Sequence, residues 1–354
     1  MKIRNISKSV KISKQPVKMG FVFAFLLIIL LSACNPTPQS ASPTPLPTES
    51  PQLSLTPTRL PSPTFTPSPN PPQIIDTISP TLPPTLPADT PIPQKLRFAV
   101  IGDYGSGKEE EADVAALVKR WDPEIIITTG DNNYPDGRTE TIDQNIGQFF
   151  HEFIAPYQGS YGEGAQENRF FPSLGNHDLH SPGAEPYLEY FTLPGNERYY
   201  DFIWGPVHFF ALNSDSSEPD GVGRSSEQAA WFQSRIADST SPWKIVFFHH
   251  APYSSGRHGP VDWMQWPFAE WGVDIVLSGH DHTYERITRD GIPYFVNGLG
   301  GQTRYDFGNE IEGSQVRYND DYGAMLVEAN ENMVLLKFIN RQDEVIDMYQ
   351  LERD

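Results

Sequence analysis

LRFAVIGDYGSGKEEEADVAALVKRWDPEIIITTGDNNY occupies residues 96–134. Two apolar, β-branched runs in it, LRFAVI and EIIITT, each break off at Gly-Asp, and residues 109–121 between them carry a helical pattern. Strand, helix and strand in alternation argue for an α/β layered fold. The same strand grammar recurs in RFFPSLGNHD, VHFFALNSD, WKIVFFHH and DIVLSGHDH. Further helical patterns are expected over Thr141–Phe153, over Ser225–Ile236 and in a Trp-rich stretch near Asp262–Trp271. The last runs, YGAMLVEA, NMVLLKFIN and EVIDMYQL, are joined by short polar turns and read as antiparallel strands added to a second sheet. The six strand-like runs finish in Asp or His, as expected of a site outside the carboxyl ends of the strands.

The whole chain has 354 residues, with 45 acidic and 26 basic residues, a formal charge of -19 and one cysteine. Such an acidic chain lacks the basic face that nucleic-acid binding requires, so no nucleic-acid partner is expected. A single cysteine makes no internal disulfide and no thiolate metal cluster, so any metal ligands must be nitrogen and oxygen.

Composition divides the chain in three. Residues 2–18 carry Lys2, Arg4, Lys8, Lys11, Lys14 and Lys18 with no acid, and the apolar run Phe21–Leu31 follows. That is the profile of a signal peptide, and the run is shorter than the roughly 20 residues a membrane span needs. It ends in Leu31, Ser32, Ala33 and Cys34, which resembles the lipobox of bacterial lipoproteins. The resemblance implies a signal peptide over 1–33 and a lipid on Cys34, with the mature protein exported and anchored at the cell envelope. Residues 34–94 are rich in Pro, Thr and Ser, with 19 prolines against 14 in the 260 residues that follow. This segment cannot bury a core and is expected to act as a spacer reaching at most roughly 190 Å. Residues 95–354 hold 19 basic and 42 acidic residues, a formal charge of -23, and are long enough for one large core. The chemistry is expected there.

In chain order the strand-end motifs are GDYG at 102–105, GDNNY at 130–134, GNHD at 175–178, the pair His249 and His250, and GHDH at 279–282. Carboxylates, imidazoles, an amide and a phenol suit a pair of metal ions, because oxygen donors favour hard cations while imidazole suits Fe, Zn and Mn. Glycine precedes Asp103, Asp131, Asn176 and His280, where sharp turns would crowd the loops onto one point.

Taken together the five motifs resemble those of the calcineurin-like metallophosphoesterases, and most closely the purple acid phosphatases, over nearly all of residues 96–351. The resemblance implies a four-layer α/β/β/α sandwich of two mixed sheets. It assigns Asp103, Tyr134 and His282 to Fe(III), Asp131 to the bridge, and Asn176, His249 and His280 to a divalent ion, either Fe, Zn or Mn. His249 is preferred over His250 because the family ligand lies six residues after a strand-opening Trp, here Trp243. His177 and His258 match the family's substrate-facing histidines. Related cyclic-nucleotide phosphodiesterases read Asp-x-His in the first motif, whereas this chain has Gly105 at that place and offers Tyr134.

The activity implied is hydrolysis of a phosphate ester, with an acid phosphomonoesterase expected and a phosphodiesterase or nucleotidase as the alternative. A surface binding module without turnover is the reading from another class. Two cations would neutralise phosphoryl oxygens and lower the pKa of a water, His177 and His258 would orient the phosphate, and one of them would protonate the leaving alkoxide. Larger family members carry an extra β domain ahead of the catalytic one. Only the spacer stands there in this chain, so a monomer is expected.

GDYGSGK, residues 102–108, also fits the spacing of a phosphate-binding loop, but Glu109 stands where such a loop needs Ser or Thr. His151, His180 and His208 read as ordinary histidines. Trp263, Trp266, Phe268 and Trp271 read as core before substrate platform, and NGLGGQ at 297–302 as a flexible strand exit near the centre. Loops 159–168 and 306–321 are where substrate selection would reside.

Overall fold

A computed structural model describes residues 95–180 and 183–353; the leader, Cys34 and the spacer lie outside the described residues. The elements run β1 (Leu96–Ile101), α1 (Glu109–Arg120), β2 (Ile125–Thr128), α2 (Thr139–Ile142), α3 (Gln148–Phe150), β3 (Phe170–Pro172), α4 (Glu185–Tyr190), β4 (Tyr200–Trp204) and β5 (Val207–Ala211). They continue with α5 (Glu227–Ala237), β6 (Trp243–His250), β7 (Ile275–Gly279), β8 (Tyr284–Arg289), β9 (Ile292–Asn297), β10 (Ser314–Tyr318), β11 (Gly323–Ala329), β12 (Met333–Asn340) and β13 (Val345–Glu352). Among the described residues no helix is long and apolar enough to cross a membrane.

Two mixed sheets result, ordered β13-β12-β11-β1-β2-β3 and β10-β8-β9-β7-β6-β5-β4. β1, β2 and β3 are parallel, as are β5, β6, β7 and β9, so their carboxyl ends point one way within each sheet. The three C-terminal strands are antiparallel as expected, but they extend the sheet of β1 through β11 instead of joining the other one.

Side-chain alternation explains the layers. In β5, Val207, Phe209 and Ala211 enter the core shared by both sheets, while Phe210 joins a second core with Ala229, Phe232 and Ile236 of α5. A strand buried on both faces is largely apolar, as this one is apart from His208, whose ring nitrogens are taken up by Asp201 and Ser239. On the opposite side Val114, Ala115 and Val118 of α1 pack on the first sheet. The order is therefore helix, sheet, sheet, helix: an α/β/β/α sandwich. α1 starts with Glu109, Glu110 and Glu111, whose charges favour its positive end. The Ser226 hydroxyl accepts a bond from the Ala229 N–H at 3.1 Å and caps α5.

Two local expectations change, and one hairpin is added. The helix expected over 141–153 begins at Thr139 and breaks into α2, a π turn over Asp143–Gly147, α3 and a 3-10 turn over His151–Phe153. The Asp143 carboxylate, gripped by the Tyr157 and Tyr190 hydroxyls at 2.6 and 2.9 Å, sits at that break. The Trp-rich stretch forms only a 3-10 turn, Asp262–Met264. Pro267 has no N–H to donate to Trp263, whose carbonyl instead accepts Trp266 Nε1–H at 3.0 Å. Finally, β8 and β9 form a hairpin around Asp290-Gly291, both left-handed.

The sheets are pinned to each other by a buried ion pair. Arg286 of β8 donates through Nε to Asp347 of β13 at 2.6 Å, and the Tyr284 hydroxyl donates to the same carboxylate at 2.9 Å. Removing one partner of such a pair leaves an uncompensated buried charge. Asp347→Ala is therefore expected to cost about 3–5 kcal/mol in denaturant unfolding; a loss near zero would show that Arg286 finds another partner.

Candidate metal centre

The carboxyl ends of β1, β2, β3, β6 and β7 deliver Asp103, Asp131, Asn176, His249 and His280 to one place, and the loops after β2 and β7 add Tyr134 and His282. Three of these residues, Asp103, Asp131 and His280, themselves adopt left-handed backbone, with φ of 53°, 53° and 71°. Strain of this kind in non-glycine residues concentrates at functional sites. Of the glycines preceding them, Gly130 is left-handed, at φ 88°. Gly102, Gly175 and Gly279 serve a different need, because a Cβ there would meet Thr129, Asp131 and Asp103 respectively. Room for close approach is what these positions require. The same holds at Gly298, whose Cβ would run into the Asp281 carbonyl, so NGLGGQ supplies space more than flexibility.

Donor atoms gather in two groups that share one oxygen. Tyr134 Oη lies 2.8 Å from Asp131 Oδ2, 3.1 Å from His282 Nε2 and 3.4 Å from Asp103 Oδ1, and His282 Nε2 is 3.4 Å from Asp103 Oδ1. On the other side, His249 Nε2 lies 3.4 Å from Asp131 Oδ2, 3.0 Å from Asn176 Oδ1 and 3.1 Å from His280 Nδ1. A cation bound at about 2.0–2.2 Å holds adjacent donors roughly 3 Å apart, so each group has the size to hold one ion. Oxygen and imidazole donors suit Fe, Zn or Mn.

The ring orientations are set from behind. His249 Nδ1–H donates to the Thr129 carbonyl at 2.9 Å and His282 Nδ1–H to the Thr303 carbonyl at 2.6 Å, which turns both Nε2 lone pairs toward the centre. Asp178 lies just behind the Asp131 loop and accepts the Asn132 and Gly175 N–H groups at 2.9 Å each. Burial and then the neighbouring carboxylates Asp131 and Asp103 push the Tyr134 phenol well up. Burial lowers His249, but Asp131 and Asp103 outweigh it and hold the imidazole above its ordinary value. Both shifts report a surplus of buried negative charge, which a bound cation would offset.

Strand alternation separates the two adjacent histidines. Trp243, Ile245 and Phe247 face the core between the sheets, and His249 continues that set; Val246 and Phe248 face α5, and His250 continues theirs. His249, His250 and His280 do bring ring nitrogens within 4.8 Å of one another. Yet His250 Nδ1 is taken up at 3.0 Å by the Ser214 hydroxyl, and burial and His249 push its pKa down to about 3.

His177 and His258 border the same centre. His177 Nδ1–H donates to the Pro135 carbonyl at 2.6 Å, and its Nε2 stands 4.0 Å from Asp131 Oδ2. The His258 ring lies 4.2 Å from that of His280, and its backbone N–H donates to Asp281 at 2.7 Å. His151 and His208 make ordinary hydrogen bonds elsewhere, while the exposed His180 ring packs 4.7 Å from His177. Trp266 and Phe268 are core, but Trp263 is 44% exposed and its ring lies 6.1 Å from His250. Tyr305, which no sequence pattern signalled, stacks flat on His282 at 4.0 Å. The loop at 102–108 has no cradle to offer a phosphate, since the Ser106 and Gly107 N–H groups donate to Glu111 at 2.8 and 2.7 Å.

Because a Cβ at position 175 collides with Asp131, Gly175→Ala is expected to fold with an unchanged far-ultraviolet spectrum yet lose most of its bound metal. Metal per chain, measured by plasma mass spectrometry, checks this; full occupancy would show that the Asp131 loop has slack.

The model of the calcineurin-like phosphoesterase family matches residues 96–284. Probable purple acid phosphatase 20 of Arabidopsis thaliana is 26% identical over 255 residues, 64% of this chain and 54% of its own length. Purple acid phosphatase 3 of the same plant is 26% identical over 278 residues, 67% of this chain and 72% of its own. The chain thus spans about half the length of the first of these relatives. A purple acid phosphatase from yellow lupin (Lupinus luteus) seeds superposes with a TM-score of 0.61 at 18% identity, over 74% of this chain and 54% of that one. GAP50, the anchor in the inner membrane complex of Plasmodium, gives 0.59 at 19% identity, over 73% and 89%. At such identities the superpositions speak for the fold, and the family match takes in more than half of the residues. On the fold, the strand-end motifs and that match, the chain belongs to the calcineurin-like phosphoesterase family.

Proposed function

We propose that this protein is an acid phosphatase that hydrolyses phosphomonoesters at a dinuclear centre of Fe(III) and a divalent ion, either Fe, Zn or Mn. Asp103, Tyr134 and His282 would hold the ferric ion, Asn176, His249 and His280 the divalent one, and Asp131 both. The observation that carries the reading is the Tyr134 phenol, 2.8 Å from the shared Asp131 oxygen and 3.1 Å from His282 Nε2. An anionic phenolate there favours a trivalent ion, and the two Arabidopsis relatives named above are purple acid phosphatases.

What the ions supply when bound is neutralisation of phosphoryl charge and a more acidic water. The chain's own groups do the rest. Asp131 sets the spacing of the two donor groups. His177, fixed through Nδ1 by the Pro135 carbonyl, presents Nε2 at the mouth of the centre as a donor to a phosphoryl oxygen when protonated. Burial, with Arg257 among the smaller contributors, lowers the His258 pKa, so this imidazole carries its proton on the acid side and can give it to the departing alkoxide. As pH rises through that pKa the proton is lost, and turnover should fall with it.

The test is to compare p-nitrophenyl phosphate with bis-p-nitrophenyl phosphate on purified full-length protein from acid to neutral pH. Faster monoester cleavage is expected, together with a visible charge-transfer band that Tyr134→Phe removes while two metals per chain remain. Preference for the diester, or a colour indifferent to Tyr134, would sink the reading.

The proposal extends to location. The apolar run Phe21–Leu31 ahead of the single cysteine supports export, with a monomeric catalytic domain over 95–354 tethered by residues 34–94 to a lipid on Cys34. Cys34→Ala should move the protein from the detergent phase to the aqueous phase in a Triton X-114 partition. Partition unaffected by the substitution would remove the lipid from the account.

A further inference from the structure

One cation on the rim of the centre is neither a metal ligand nor a proton donor in the chemistry above. Arg257 directly precedes His258 and is exposed. Its guanidinium lies 5.1 Å from the centre of the Tyr305 ring. Tyr305 in turn lies 10° from parallel with His282 at 4.0 Å, and 5.4 Å from the His258 ring. The guanidinium therefore lies over a ring that stacks on His282 and also neighbours His258.

Most described arginines end on carboxylates, as Arg198, Arg286 and Arg341 do. Among the described residues Arg257 ends on none, although residues 95–354 carry 42 acidic side chains against 19 basic ones. A guanidinium positioned by stacking keeps its planar fork of donors available, and that fork matches a carboxylate or phosphate. In a domain whose net charge repels anions, a local cation beside the reacting phosphate is where an additional anionic group gains most.

We propose that Arg257, steadied by Tyr305, binds a second anionic group carried on the alcohol portion of the phosphomonoester, so that the preferred substrates are phosphomonoesters bearing a carboxylate or another phosphate. This deepens the monoesterase reading and rests on it. Arg257 is here a specificity-determining residue, and His258 beside it keeps its role at the ester oxygen.

Three matched pairs of probes test the proposal on the metal-loaded full-length protein. 3-Phosphoglycerate against glycerol 3-phosphate reads a carboxylate, and propane-1,3-diol bisphosphate against 3-hydroxypropyl phosphate reads a phosphate. 3-Phosphonopropionate against propylphosphonate, neither hydrolysable, reads binding alone by calorimetry. Wild type should favour the doubly anionic member of at least one hydrolysed pair and bind 3-phosphonopropionate more tightly. Arg257→Ala should cut the preference in kcat/KM about tenfold, mostly through KM. Arg257→Lys should restore part of it, because charge returns without the fork. Arg120→Ala, which deletes the same charge at the far end of α1, should leave the ratio alone. An equal ratio in wild type and Arg257→Ala overturns the inference. If no monoester is cleaved but calorimetry still shows an Arg257-dependent preference, the subsite stands and the monoesterase reading falls.

Discussion

Everything in this protein depends on one carboxylate oxygen being reached from two sheets. Asp131 Oδ2 stands 2.8 Å from a phenol on its own loop, in the first sheet, and 3.4 Å from a histidine of the second. Atoms this close belong to backbones that approach almost to contact. The approach is possible because Gly102, Gly175 and Gly279 present no Cβ where the strand ends meet. The ligand-bearing residues absorb the remaining distortion in left-handed backbone, a cost carried by the surrounding sheets.

The surplus negative charge of the centre follows from the same crowding. Asp103, Asp131 and Asp178 are all buried within this small region, and neighbouring imidazoles and N–H groups stabilise them only in part. Burial pushes Asp103 up, yet His282, His249 and the His280 N–H outweigh it and hold it below the usual carboxylate range. A chain this acidic does not attract anions at long range, so an anionic ligand would have to be drawn by charge concentrated at the site. Arg257 lies over Tyr305, which stacks on His282, and among the described residues no carboxylate pairs with its guanidinium.

Away from the cleft the two sheets rely on apolar interdigitation with few polar links. Phe98 meets Phe209 edge-on at 5.1 Å, and Phe171 stacks on Phe202 at 3.9 Å, each pair joining one sheet to the other. The Arg286–Asp347 pair and the Trp243 Nε1–H bond to the Asn330 carbonyl at 2.7 Å fix the register of the sheets. A rigid frame of this kind is what allows donors from distant strands to keep spacings of about 3 Å.

The strands ending at Asp103, Asp131, Asn176, His249 and His280 were legible in the sequence because each is a short β-branched run closed by a turn residue, and such signals are local. The helices α1 and α5 were legible for the same reason, from apolar spacing, whereas the Ser226 cap of α5 emerged only in the structure. Even the choice of His249 over His250 has a local root, since six residues of strand return a side chain to the face of Trp243. The Asp290-Gly291 turn was a readable hairpin signal that went unused. Other features had no local signature at all. Which sheet β11 joins, the stacking of Tyr305 on His282, the exposure of Trp263 and, among the described residues, the freedom of Arg257 from acidic partners depend on groups far apart in the chain. Strand patterning states which residues face a core, but the partner across that core is selected by packing, and only the tertiary structure decides it.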